Sequence, residues 1–140
     1  MKAVALLLFV AAFHARAVTD EEVRRIHQSA LIVDTHNDVP MKTAKGYDIG
    51  TPAPLGSTDI PRLRSGNVGA VFFAAYVPAS TVKENKAAEH CRRAIRSIRE
   101  DIVGKHRDHF SLATTAGEVL AARKAGKIAA LIGVEGGHAV

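Results

Sequence analysis

His36 and Asp38 stand two residues apart, just past the apolar run Leu31-Ile32-Val33. Side chains alternate along an extended strand, so positions i and i+2 point the same way. An imidazole nitrogen and a carboxylate oxygen converging on one cavity make a reasonable zinc pair. The surrounding cluster, Asp34-Thr35-His36-Asn37-Asp38, is equally an ordinary strand-to-turn sequence, so the pair alone leaves both readings open. A third candidate, Glu135, directly follows Leu131-Ile132-Gly133-Val134. A carboxylate at the end of a buried strand is costly unless a cation accompanies it. That cation is either a metal or an Arg or Lys of the sheet. Asn37, between the first two candidates, and His138, after Gly136-Gly137, are weaker candidates to brace a ligand or touch a substrate. His27 falls on the first helix, and His90, His106 and His109 read as surface residues on or after a long helix. Cys91 lies mid-helix among apolar positions, the setting of an inert core thiol rather than a nucleophile. No glycine-rich phosphate loop follows a strand.

Positioning three such side chains takes a sheet whose strands end together. Thr19 to Glu22 form a capping box for a helix running to about Ser29. Leu31–Val33 reads as a short buried strand. The stretch from Met41 to Ser57, rich in Gly, Pro and Thr, reads as a long loop, a length usual for functional segments. Thr58 and Asp59 start a short helix with Pro61 in its first turn, ended by Gly66. Val68–Val77 is a second, continuously apolar strand. Thr81 to about Gly104 reads as one long helix, with Ala87, Ala88, Cys91, Ala94, Ile95, Ile98 and Ile102 as its apolar stripe. Its arginines, interleaved with Glu89 and Glu100, read as a solvated face. Phe110–Ala113 is a short extended piece, Thr115–Ala125 a helix capped by Gly126, and Ile128–Val134 a third strand. Strands alternating with helices, each strand apolar on both faces, imply a parallel sheet. The expectation is α/β: the N-terminal portion of a (β/α)8 TIM-type barrel, about its first three strands, and incomplete. Parallel strands would bring His36, Asp38 and Glu135 to one end of the sheet, where α/β barrels carry their active sites.

Composition limits the classes of function. The 140 residues are 47% hydrophobic and 24% charged, a globular balance. Lys2, the apolar run Ala3–Phe13 and the small-x-small Ala15-Arg16-Ala17 read as a secretory signal peptide, residues 1–17, leaving 18–140 as a partial barrel domain. Eleven apolar residues are too few for a membrane span, which takes roughly 20. Removal of Lys2 and Arg16 leaves 17 basic against 14 acidic residues, a net charge of +3. That is too mild to suggest a nucleic-acid partner. A secreted or periplasmic location follows from the leader. The single cysteine, without a disulfide framework, favours a bacterial periplasm over an animal cell surface.

Three blocks taken together carry a family resemblance. Asp34-Thr35-His36-Asn37-Asp38-Val39-Pro40 resembles the first metal motif of the membrane (renal) dipeptidase family, peptidase family M19. Thr58-Asp59-Ile60-Pro61-Arg62-Leu63-Arg64, with Gly66 and Val68-Gly69-Ala70, resembles its second block. Leu131-Ile132-Gly133-Val134-Glu135-Gly136-Gly137-His138 resembles its third. The resemblance covers about residues 20 to 140. It implies a two-zinc site on a (β/α)8 barrel, with His36 and Asp38 on one zinc and Glu135 bridging both. It further implies hydrolysis of dipeptides by a metal-activated water. The histidines of the second zinc have no counterpart here, so the 140-residue chain is expected to be an N-terminal fragment, inactive alone. The family is commonly dimeric, and a membrane anchor beyond Val140 is compatible with it. Two alternatives stand beside this one. One is another barrel metal-dependent amidohydrolase, although those more often open on His-x-His than on His36-Asn37-Asp38. The other is a non-catalytic binding protein that retains the dipeptidase shell.

Overall fold

A computed structural model describes residues 17–52 and 56–139. The signal peptide expected at 1–17 therefore lies outside the described residues except for Ala17. Helix α1 spans Asp20–Ser29 behind the expected capping box. Thr19 accepts from the amide of Glu22, and the Glu22 carboxylate accepts from the amide of Thr19. No residue of α1 is buried, so its docking rests on its last carbonyls. Asn67, in the left-handed region at φ 54°, donates its side-chain amide to the carbonyls of His27 (2.6 Å) and Ala30 (3.2 Å). Arg123 donates to Ala30 (2.7 Å) and Ser29 (3.0 Å). These bonds satisfy the carbonyls that every helix end leaves without partners.

Asn67→Ala is expected to lose both the side-chain bonds and the residue's tolerance of positive φ, about 2 kcal/mol together. Asn67→Gly keeps the backbone geometry and should cost about half of that. Urea unfolding of both variants checks the order, and a glycine variant less stable than the alanine one would refute this account.

Strand β1, Ile32–Asn37, runs on through the polar cluster rather than stopping at Val33. The expected loop after it contains a short helix, α2, Pro40–Thr43, whose first position is the proline. Proline's fixed φ suits the first helical turn. Helix α3, Ile60–Ser65, is capped by Asp59, and strand β2 spans Val68–Tyr76. The single helix expected over 81–104 is instead divided. α4, Ser80–Lys83, ends near Asn85, whose φ of 53° breaks the helical path. α5 covers Ala87–Ser97, and the chain then widens into a π-helical segment, Ile98–Gly104. Strand β3 is Phe110–Leu112, α6 is Ala116–Lys124, β4 is Ile128–Glu135, and a 3-10 turn follows at Gly137–Ala139.

The extended piece at Phe110 therefore joins the sheet, which has four strands in the order β1-β2-β4-β3, all parallel. β3 pairs only with the first residues of β4, Ile128 to Ala130. One face of the sheet carries Val71, Phe73, Ala75, Ile128 and Ala130 against Ile60 and Leu63 of α3 and Ile98 and Ile102 of the π segment. Phe73 and Phe110 meet edge to face at 5.8 Å, a favoured aromatic geometry. The other face is covered near the strand starts by α6, where Val119 and Ala122 pack on Ala70 and Ala129. Farther along it stays open, with Val33 40% and Phe72 36% exposed. Cys91 is buried beside Val77 and Ala139, as expected of a core thiol. Among the described residues no helix is long and apolar enough to cross a membrane.

Candidate metal centre

β1 and β4 flank β2 and run parallel, so their carboxyl ends open on the same side. Glu135 lies four residues past Leu131, an even spacing, and so shares the face of Ala129 and Leu131. His36 reaches that position because the register of β1 slips between Asp34 and Asn37. Asp34 holds the irregularity. It accepts the His36 amide at 3.1 Å and the Asn37 side-chain amide at 2.8 Å. Irregularities of this kind re-aim side chains beside functional sites. Asn37 also donates to Thr58 Oγ1 (3.1 Å) and accepts the amide of Val39 (3.1 Å), bracing the turn that delivers Asp38.

The outcome is a cluster of three donors. His36 Nε2 lies 3.4 Å from Asp38 Oδ1 and 3.3 Å from Glu135 Oε2, and ligand atoms of the three residues lie within 4.8 Å of one another. Glu135 Oε2 is itself buried and makes no hydrogen bond, because its approach to His36 lacks the alignment, although the side chain as a whole is 43% exposed. The sequence left open a sheet Arg or Lys as the partner of Glu135. Among the described residues no Arg or Lys pairs with it, and its near neighbour is the His36 imidazole. Donors bound tetrahedrally to one zinc at roughly 2.1 Å sit about 3.4 Å apart, close to both His36 distances. One imidazole nitrogen and two carboxylate oxygens, one of them buried without a partner, fit a divalent cation.

Small residues leave room around the cluster. Ala74 pairs with Gly133, and a Cβ added at Gly133 would meet nothing within 4 Å. Gly136 turns the chain immediately after Glu135 at φ +112°, where a Cβ would approach the Val77 carbonyl to 3.0 Å. Only glycine adopts that conformation without strain. His138 folds back over Gly136 and lines a separate small cavity with Val82, Asn85 and Ala87. The structure does not bring it into the cluster.

Beside the cluster opens a cavity of about 280 Å³, lined by His36, Asn37 and Asp38 and by Lys42, Tyr47 and Thr58 from the long connection. Tyr47 donates its hydroxyl to the Thr58 carbonyl at 2.8 Å, closing the connection on itself. Asp59, fully buried, accepts from the Arg62 amide and side chain, and Arg62 in turn donates to the Gly56 carbonyl at 2.6 Å. The Asp59 carboxylate raises the pKa of Arg62 by hydrogen bonding to it. His106 is not a surface residue. Its side chain is 16% exposed and its Nε2 sits 3.1 Å from Asp48 Oδ1, without the alignment of a hydrogen bond. It is covered because the connection folds down onto the π segment, burying Ile49 completely. Sequence reasoning missed Lys42 and Tyr47 for the same reason. A lone aromatic in a Gly- and Thr-rich stretch was the one signal, and it carries no period.

A parallel α/β sheet with ligand-type side chains gathered at its carboxyl ends is the arrangement found at the active-site face of TIM-type barrels. Solved structures agree on the fold. The chain superimposes on the probable dipeptidase PvdM from Pseudomonas aeruginosa with a TM-score of 0.68 at 15% identity, covering 85% of this chain and 31% of that one. It superimposes on a metallo peptidase from Rhodobacter sphaeroides, solved with a phosphinate mimic of the dipeptide L-Ala-D-Ala, with a TM-score of 0.61 at 21% identity, covering 79% and 39%.

The sequence profile of the membrane dipeptidase family (peptidase family M19) matches residues 20–140, and the chain belongs to that family. Dipeptidase ataJ of Aspergillus terreus is 36% identical over 121 residues, which are 78% of this chain and 30% of that protein. The chain thus spans about a third of the length of the curated relatives it matches.

Proposed function

We propose that this chain supplies the first half of a two-zinc dipeptidase centre, in which His36 and Asp38 hold one ion and Glu135 bridges to a second. The convergence of these three side chains at the carboxyl ends of β1 and β4 supports the reading. Membership of a metallo-dipeptidase family supports the reaction. When bound, the ions would supply Lewis acidity, polarising the scissile carbonyl and acidifying a water. The protein's own contribution is placement. Asp34 and Asn37 fix the turn that aims His36 and Asp38, and Gly136 lets the chain leave Glu135 without crowding it. The cavity beside the cluster, walled by Tyr47 and Thr58, is the place for a dipeptide, with Asn37 on its lining. His138 has no part in this reading.

The test uses the intact protein. Metal analysis should find about two zinc ions per chain, and L-Ala-D-Ala should be hydrolysed. Chelation should abolish turnover and added zinc restore it. Zinc-loaded protein that cleaves cyclic amides and leaves dipeptides intact would transfer the assignment to another metal-dependent amidohydrolase. Protein that binds no metal and cleaves nothing would be a binding protein. Among the described residues these three donors form the one metal-type cluster, and residues 1–140 expressed alone should show no turnover. For the location, we propose export after cleavage at Ala17, motivated by the apolar leader. N-terminal sequencing of the mature protein should begin at Val18, and a start at Met1 would refute cleavage and favour an N-terminal anchor that stays attached.

A further inference from the structure

Well away from the metal cluster, cationic side chains gather along one edge of the sheet. β3 is the outermost strand and pairs on one side only. Ile128 donates to the His109 carbonyl (2.8 Å) and Ala113 to the Ala130 carbonyl (2.9 Å), so the backbone groups of His109, Ser111 and Ala113 face β4. Alternation along the strand then turns the carbonyl of Phe110 and both polar groups of Leu112 outward. In front of them lies a cleft of about 360 Å³, lined by Arg99, Val103, Arg107, Phe110, Leu112 and Lys127. Its lining has three cations and no acid. Among the described residues none of the three is in an ion pair, whereas neighbouring Lys105 is held by Asp101 at 3.2 Å. Arg96 and Arg92 extend the arginine row up α5, with Glu100 as the acid among them, outside the cleft lining.

An open strand edge is a template for another strand, and like charges gathered without counter-ions favour an anionic occupant. We infer that this cleft takes an extended acidic peptide segment, which adds to β3 as a further strand and sets its carboxylates on Arg99, Arg107 and Lys127. Strand addition draws affinity from the backbone and selectivity from side chains at alternate positions, and both are present here. Single-stranded nucleic acid fits less well. It binds largely through bases stacked on exposed aromatic rings, and Phe110, the aromatic residue of the cleft, is 2% exposed. The outer edge of β3 is separate from the edge of β4, since β3 pairs only with Ile128 to Ala130 and stops short of Leu131.

Fluorescence anisotropy of a labelled Glu-Val-Glu-Val-Glu-Val peptide with the intact protein tests this. Saturable binding is expected, weakening as salt rises from about 0.05 to 0.5 M. The pair Arg99→Glu and Arg107→Glu, both exposed, should lower affinity about tenfold or more while leaving the circular dichroism unchanged. A peptide of the same charge, N-methylated at alternate amides, cannot pair with β3 and should bind as weakly. No binding by the parent peptide would overturn the inference. So would equal binding of the N-methylated peptide, or displacement by single-stranded DNA at equal charge concentration, because either would mean that charge alone is read.

Discussion

Glu135→Gln is expected to abolish dipeptide hydrolysis by the intact protein, lowering kcat/KM by roughly 10³-fold or more, and to cut the bound metal to about one ion or fewer. Loss of metal charge stabilisation worth several kcal/mol sets that scale, since each 1.36 kcal/mol is a factor of ten. The substitution preserves shape and removes one negative charge, so the effect isolates the carboxylate. It also has an opposite signature in the metal-free protein. Glu135 Oε2 is buried without a hydrogen-bond partner, and a neutral amide is less costly there than a carboxylate. The metal-free variant should therefore unfold at a higher urea concentration than the metal-free parent, while zinc stabilises the parent more than the variant. Zinc titration followed by unfolding separates these effects. A variant that keeps two zinc ions and full turnover would show that Glu135 is structural and that the centre lies elsewhere.

The gathering of His36, Asp38 and Glu135 at one end of the sheet was legible in the sequence because Glu135 directly follows an apolar run and His36 and Asp38 come within a few residues of one. A run that ends in a ligand-type residue fixes both the strand and the end at which the side chain emerges. Parallel pairing then follows from the helices between runs, and convergence from the parallel pairing. The division of the expected long helix was not legible. Its apolar stripe continues through Ile98 and Ile102, both fully buried, so periodicity alone does not register the left-handed Asn85 or the π segment. The pairing of Phe110–Leu112 was also hidden, because three residues carry too little pattern to distinguish a strand from an extended connection. The cavity wall was least legible. Tyr47 and Thr58 act through one hydroxyl–carbonyl bond inside an aperiodic stretch, and His106 is buried by long-range folding of that stretch, which no local pattern encodes. Tertiary contacts decided what local spacing left open.

The same connection makes Asp59 the largest expected stability effect near the site. Its side chain is fully buried, caps α3 through the Arg62 amide at 2.8 Å and accepts the Arg62 side chain at 2.6 Å. Asp59→Ala removes an N-cap, about 1 kcal/mol, and a charge-assisted hydrogen bond, about 1.5–3 kcal/mol, for an expected loss of about 3 kcal/mol. Asp59→Asn retains a capping oxygen and should lose roughly half as much. The functional consequence runs through Arg62, which loses the carboxylate that orients it toward the Gly56 carbonyl. Gly56 and Thr58 form part of the cavity wall but touch none of the proposed metal ligands except through Asn37. Both variants should therefore raise KM for dipeptides more than they lower kcat, with zinc content unchanged. Urea unfolding, steady-state kinetics and metal analysis on the same preparations test this together. If zinc is lost in proportion to stability, the buried carboxylate supports the whole barrel end, and the cavity wall and the metal ligands are not independent.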